Sequence, residues 1–170
     1  MRLFSGKIPV ISGEIVRTLS GDNDIETTAP REVEADLESV MKEYLRMERE
    51  ISEKAKDRME AVGGNRSDLG RLKRAIADQK GFGVGEESVS WILDQLLQML
   101  MRSPHVDEVF SDDLTMRRKM RTILQKHMSA DDELDKEVRA KIKNLQEGTQ
   151  AWEIEYQKVL EQVRRKQRLE

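Results

Sequence analysis

Apolar residues along this chain recur at the spacing of helix faces. Ile11, Ile15, Val16 and Leu19 repeat at intervals of one, three and four, which predicts a helix opening near Pro9. Proline suits a first helical turn, because the N–H it lacks would find no partner there. The run Ser20-Gly21-Asp22-Asn23-Asp24 ends that helix by turn chemistry. From Pro30 a second stripe runs Val33, Leu37, Val40, Met41, Tyr44, Leu45, Ile51, Ala55, Met59, Val62, with no Gly or Pro until Gly63-Gly64. A helix over that span would be about 45–50 Å long. So long and narrow a stripe suits a helical hairpin or coiled-coil pairing. Leu69, Leu72, Ile76 and Ala77 predict a short helix ending near Lys80. Val89, Ile92, Leu93, Leu96, Leu97 and Leu100 predict another, capped by Ser88 and closed at Ser103-Pro104. Asp112 or Asp113 would cap a further long helix, with a break at Ser129-Ala130-Asp131-Asp132. A last helix carries Trp152, Tyr156, Leu160 and Val163. The expected fold class is all-α. The one place for sheet is a brief pair between Asp24-Ile25-Glu26 and Val106-Asp107.

The pattern occurs twice. At an offset of 83, Val33, Leu37, Val40, Met41, Leu45, Ile51, Ala55 and Met59 fall on Met116, Met120, Ile123, Leu124, Met128, Leu134, Val138 and Ile142 without a gap. At an offset of 81, Ile11, Ile15, Val16, Leu19 and Ile25 fall on Ile92, Leu96, Leu97, Leu100 and Val106. Two copies of one helical unit explain this, each a shorter helix followed by a long one. A solenoid would need three or more. The expected organisation is a first repeat over 1–62, a linker with a short helix over 63–87, a second repeat over 88–147, and a C-terminal helix with a basic tail over 148–170. Leu37, Met41, Leu45, Met120, Leu124 and Met128 are the expected core.

Composition narrows the chemistry. Charged and apolar residues are 37% each, aromatics are 4%, and there are 9 Met among 170 residues. That balance fits long helices with an aliphatic core and charged outer faces. With no cysteine, disulfides, thiolate catalysis and Cys-based metal sites are excluded. The net charge of −3 gives no global cue for nucleic acid or membrane. Met1 to Ser12 lacks an unbroken apolar stretch, and no segment approaches the roughly 20 apolar residues of a membrane span. A cytoplasmic protein is expected.

Several clusters invite a chemical reading and are better explained otherwise. Gly81-Phe82-Gly83-Val84-Gly85 resembles a phosphate loop, but a polar helix precedes it and Glu86-Glu87 follow, so a flexible linker is expected. Asp131, Asp132, Glu133 and Asp135, and likewise Asp112-Asp113, suit acidic first turns better than a metal site. His105 and His127 stand on different elements without local ligand partners. No metal, cofactor or catalytic constellation is expected. Trp152 and Tyr156 share a helix face, either as packing or as an interface anchor.

The charges say more. Glu34, Asp36, Glu38 and Glu43 correspond to Arg117, Lys119, Arg121 and Lys126, and Arg49, Glu53 and Lys54 to Asp132, Lys136 and Glu137. Opposite signs on equivalent faces suggest that the long helices pair with each other, or with a second chain. Two independently solvated faces are the alternative. Arg117-Arg118-Lys119 with Arg121, Lys126 and the tail from Arg164 to Arg168 are the basic clusters available to phosphates.

Four strings are less generic than helix sequence. They are Met1-Arg2-Leu3-Phe4-Ser5-Gly6-Lys7-Ile8-Pro9, Val106 to Asp113, Glu133 to Arg139, and Leu145 to Tyr156. In these the chain resembles a bacterial family catalogued as domain of unknown function 507. The resemblance implies a bacterial, mostly helical protein and brings no activity or ligand. The reading from the residues is a non-enzymatic protein–protein interaction or scaffold module that self-associates or binds a protein partner. The alternative is a nucleic-acid-binding protein using the Arg117–Lys126 face and the tail. A weaker third is a metal-dependent enzyme using Asp112, Asp113 and the Asp131–Asp135 cluster.

Overall fold

A computed structural model describes residues 2–130, 132–142, 145 and 148–169. Among them the chain forms α1 (Ile8–Gly21), β1 (Ile25–Glu26), α2 (Pro30–Ala61), α3 (Leu69–Lys80), α4 (Ser88–Arg102), β2 (Glu108–Val109), α5 (Asp113–Ala130), α6 (Asp132–Lys141) and α7 (Gln150–Leu169). The fold is all-α apart from the two-stranded ribbon. No described helix is long and apolar enough to cross a membrane.

Local chemistry sets these boundaries. Pro30 opens α2, which then runs for 32 residues, about 48 Å. It ends at Val62, and Gly63 follows at φ +67. Asp112 caps α5 by accepting the Thr115 N–H at 2.8 Å. The break expected at Ser129-Ala130-Asp131-Asp132 turns on Asp131, which lies outside the described residues. Ser88 does not cap α4. It is the first helical residue, and its hydroxyl donates back to the Gly85 carbonyl at 2.7 Å.

Nor is the glycine-rich stretch a flexible linker. Gly81 closes α3 in the left-handed region, at φ +65. Phe82 is buried and stacks on Tyr44 with 5.1 Å between ring centroids. Trp91 packs against both rings and donates its indole N–H to the Gly81 carbonyl at 3.1 Å. At Gly83 a Cβ would stand 2.6 Å from the Glu87 carbonyl oxygen, so only glycine fits. One aromatic residue anchors the loop, which spacing between glycines does not reveal.

Helices α1, α2, α4 and α5 form a ring in which α1 touches α2 and α5, and α4 touches the same two. The two long helices are therefore diagonal, and no ion pair joins α2 to α5 among the described residues. The expected pairing between them is not what their charges serve. Leu37, Met41, Met120, Leu124 and Met128 lie in the shared core and Leu45 packs at its edge. A second cluster joins α6 and α7 through Leu134, Val138, Trp152, Tyr156, Val159, Leu160 and Val163. Consecutive residues of the N-terminal segment bind the two together: Leu3 belongs to the first cluster and Phe4 to the second.

Corresponding elements make corresponding contacts. The ribbon is antiparallel, with Ile25 opposite Val109 and Glu26 opposite Glu108. Moving each partner by 83 positions into the other half turns the first pair into the second. Contacts of α1 with α5 match those of α4 with α2, and α3 packs on α2 as α7 packs on α6. The same offset carries buried Ile76 and Ala77 onto buried Val159 and Leu160. Within the expected linker α3 thus packs on α2, while the C-terminal helix α7 packs on α6. The ribbon itself lies two residues later than expected on its second strand. The residues between are held in a turn: His105 donates its N–H to the Ser103 hydroxyl, and the Thr27 hydroxyl donates to the His105 carbonyl at 2.6 Å.

Candidate functional site

The polar residues around the ribbon are bound to one another in matched sets. Asp36, on α2, accepts from Ser103 and lies 2.9 Å from Nδ1 of His105. Lys119, the corresponding residue of α5, donates to Asp22 at 3.0 Å and Asp24 at 2.7 Å. Asp22 corresponds to His105 at the offset of 83. The corresponding positions are therefore bridged twice, with the carboxylate on the long helix in one and on the turn in the other. Ser111 donates to Asp24, and the Thr28 N–H donates to Asp107 at 2.8 Å, which again is one contact made twice. Further along the bundle Glu14 receives both Lys126 and His127. In the matching place Gln95 and Glu43 line a shallow groove with Val40, Trp91 and Met99.

These bonds set the carboxylates' ionisation. Hydrogen bonds from Lys126 and His127 hold Glu14 below its ordinary pKa. Burial pushes Asp24 up, but Lys119 and Ser111 outweigh it and leave the group lowered. Asp36 is lowered in the same way, burial being outweighed by His105 and Ser103. A carboxylate lowered on folding contributes stability that is fully present above its unfolded pKa of about 4 and is lost as pH falls through the folded value. The melting temperature is therefore expected to fall below about pH 4. Asp24→Asn should flatten that acid limb while costing stability near neutrality. A thermal melt series from pH 2.5 to 7 checks both, and an unchanged acid limb in Asp24→Asn refutes the assignment.

The basic face of α5 is largely engaged within the chain. Arg117 pairs with Asp94, Lys119 with Asp22 and Asp24, and Lys126 with Glu14. Arg118 and Arg121 make no ion pair among the described residues. On α2, Glu38 pairs with Lys42 and Glu43 with Arg46 along the helix, and Glu34 makes no ion pair among the described residues. In the tail Arg165 pairs with Glu161. The side chain of Arg168 lies outside the described residues.

Trp152 and Tyr156 are 4% and 0% exposed, so they pack inside the chain and are not presented to solvent. Their rings stack at 4.9 Å, and Phe4 stacks on Tyr156 at 5.8 Å. The Arg2 guanidinium sits over this group, 4.5 Å from the Tyr156 centroid, 5.4 Å from Trp152 and 5.6 Å from Phe4. Glu153 stands 3.7 Å from it. Tyr156 donates its hydroxyl to Asp135, which also receives Arg139 at 2.9 Å. Burial, reinforced by Asp135, pushes the Tyr156 phenol well above its ordinary range. Three of the four distinctive strings meet here, and none of the composition signals pointed to Arg2.

The acidic clusters do not converge. Asp112 is engaged as a helix cap, Asp113 begins α5, and Asp135 belongs to α6 beyond the other end of α5. Asp131 lies outside the described residues, as do the side chains of Asp132 and Glu133. Among the described residues no three His, Asp or Glu stand where they would hold a metal ion.

Two large apolar side chains beside the ribbon are presented to solvent. Phe110, directly after β2, is 61% exposed, and Leu114, in the first turn of α5, is 77% exposed. Phe110 is fixed by its N–H, which donates to the Asp24 carbonyl at 2.8 Å. The ribbon, its flank and the start of α5 also carry the exposed carboxylates Glu26, Asp107, Glu108 and Asp113. Sequence reasoning passed over both residues. The available signal was position, since Leu114 falls off the stripe of Met116, Met120, Ile123 and Leu124 and so must face outward.

The chain belongs to the family described as "Protein of unknown function (DUF507)", whose model matches residues 1–169. No curated protein matches it.

Proposed function

We propose that this chain is a non-enzymatic, internally duplicated helical interaction module, acting in the cytoplasm and presenting the ribbon end of its bundle to a protein partner. The observation that carries the reading is the pair Phe110 and Leu114, two large apolar side chains held in solvent at the end of β2 and in the first turn of α5. Exposed apolar groups on fixed backbone, rimmed by polar residues, are the usual mark of a protein contact. The opposite-signed residues of α2 and α5 offer less, because Asp36, Glu38, Glu43, Arg117, Lys119 and Lys126 are already bound within the chain.

Nucleic acid is the weaker reading. Of the cations on the α5 face, Arg118 and Arg121 alone are free of ion pairs among the described residues, and the ribbon beside the exposed aromatic carries carboxylates that repel phosphate. Nucleic acid that co-purifies at low salt and is released by higher salt would reverse this preference.

A photo-crosslinking amino acid at position 114 tests the proposal in living cells. Positions 62 and 154 serve as controls, since Val62 and Ile154 are comparably exposed apolar residues elsewhere, at 76% and 63%. The expected result is a discrete protein adduct from position 114 and none from the controls. Equal adducts from all three, or none from 114, would sink the proposal.

A further inference from the structure

The internal correspondence supplies a test of which surface residues the fold itself needs. At the offset of 83, Phe110 and Leu114 match Thr27 and Arg31. The first half makes the same ribbon and the same turn with a hydroxyl and a guanidinium in those places. Folding therefore does not require apolar groups there, and the second half carries them for another reason.

The surrounding charge says what they meet. Glu26 and Glu108 are directly opposite across the ribbon, both are exposed, and neither has an ion pair among the described residues. Cross-strand neighbours lie about 5 Å apart, and like charges so placed weaken a strand pair. Residues two apart on an extended strand face the same side, which sets Phe110 beside Glu108. Asp107 and Asp113 extend the rim. Arg118 bounds the patch one turn further along α5. A second copy docking the same patch would bring carboxylates against carboxylates. Phosphate surfaces, whether of lipid or nucleic acid, would be repelled likewise.

We propose that the patch formed by Phe110 and Leu114 with Glu26 and Glu108 docks a cationic amphipathic segment of another protein. Its apolar side chains cover the Phe110–Leu114 pair, and its Lys or Arg groups relieve the opposed carboxylates. The proposal rests on the interaction reading above and adds the chemistry of the partner.

The probes are two peptides of equal length, a Lys/Leu amphipathic helix and its Glu/Leu counterpart, titrated into the full chain and followed by amide chemical shifts. The Lys/Leu peptide should bind saturably, with the largest shifts at residues 26, 108, 110 and 114, and more weakly as salt screens the carboxylates. The double variant Phe110→Thr, Leu114→Arg carries what the first half already holds. It should fold normally and lose about tenfold or more in affinity, as central apolar anchors do. Glu26→Gln with Glu108→Gln should reduce both affinity and salt dependence. Equal binding of the Glu/Leu peptide, shifts centred on the acidic face of α2, or undiminished binding by the double variant would overturn the proposal. So would sedimentation showing that the free protein self-associates and that Leu114→Arg abolishes it, which would assign the patch to a second copy. An adduct from position 114 in cells without binding of the Lys/Leu peptide would refute the partner chemistry alone. Loss of both would remove the interaction reading as well.

Discussion

Leu37→Ala and Leu124→Ala are each expected to lower the unfolding free energy by about 2–5 kcal/mol, the range for emptying a fully packed leucine site. Both side chains are completely buried, one in each long helix, and both lie in the core shared by the helix ring. The cost should sit near the upper end if the neighbours cannot collapse. Met41 and Met120, flexible side chains in the same core, favour partial relaxation and the lower end. The correspondence between halves supplies a control: Leu37 matches Met120, and Leu124 matches Met41. Leu37→Met and Leu124→Met should therefore cost less than about 1.5 kcal/mol, since the equivalent site already accommodates the other side chain. Urea denaturation with an unchanged m-value would measure all four. A loss below about half a kcal/mol for the alanine variants is incompatible with the packing described.

Trp152→Ala should cost about 3–5 kcal/mol, but the loss should be confined to one region. Trp152 lies in the cluster of α6, α7 and Phe4, separate from the main core. Hydrogen exchange should lose protection across α6 and α7 while α1, α2, α4 and α5 keep theirs, as expected of a cooperative unit that opens by itself. Arg2→Ala should loosen the same region by about 1–2 kcal/mol, the scale of a partly desolvated cation over aromatic rings. Arg2→Lys should restore part of that, because the charge remains while the planar group is lost. Trp91 belongs to the other aromatic group, with Tyr44 and Phe82, so a Trp91→Phe background lets fluorescence report Trp152 alone. Uniform loss of protection over both clusters would show that the hairpin and the bundle are one unit and would refute the division.

The helices were legible in the sequence because periodicity is local. Pro30 and Gly63 mark ends that the backbone obeys. Leu37, Met41, Met120, Leu124 and Met128 were readable as core from spacing alone. The candidate site was less legible, because it depends on which elements meet. The charge inversion between Asp36 and Lys119 was visible, yet its partners His105 and Asp22 sit in turns with no periodicity to assign them. Of the arrangements the charges allow, direct pairing of the long helices within the chain is not the one made, because a ring of four helices sets them on a diagonal. Arg2 stands outside every helical stripe of the sequence. Its place over Tyr156 follows from a contact spanning nearly the whole chain, which no local pattern encodes. Phe82 shows the same limit, since the glycines around it suggested mobility and the aromatic neighbours came from α2 and α4.

The ribbon also fixes when this protein can fold as it is synthesised. Ile25 waits for Val109, and Glu14 waits for residues 126 and 127, more than a hundred positions later. At about 5–20 residues per second, roughly 4–17 s separate translation of the first strand from that of its partner. During that interval α1 and α2 can form a hairpin but cannot cover the faces that α4 and α5 will bury. Nascent chains of this protein should thus expose aliphatic surface late into synthesis and depend on chaperone occupancy more than the finished fold would suggest. Ribosomes stalled before and after residue 130 would show it, with protease resistance of the first half appearing in the longer chain.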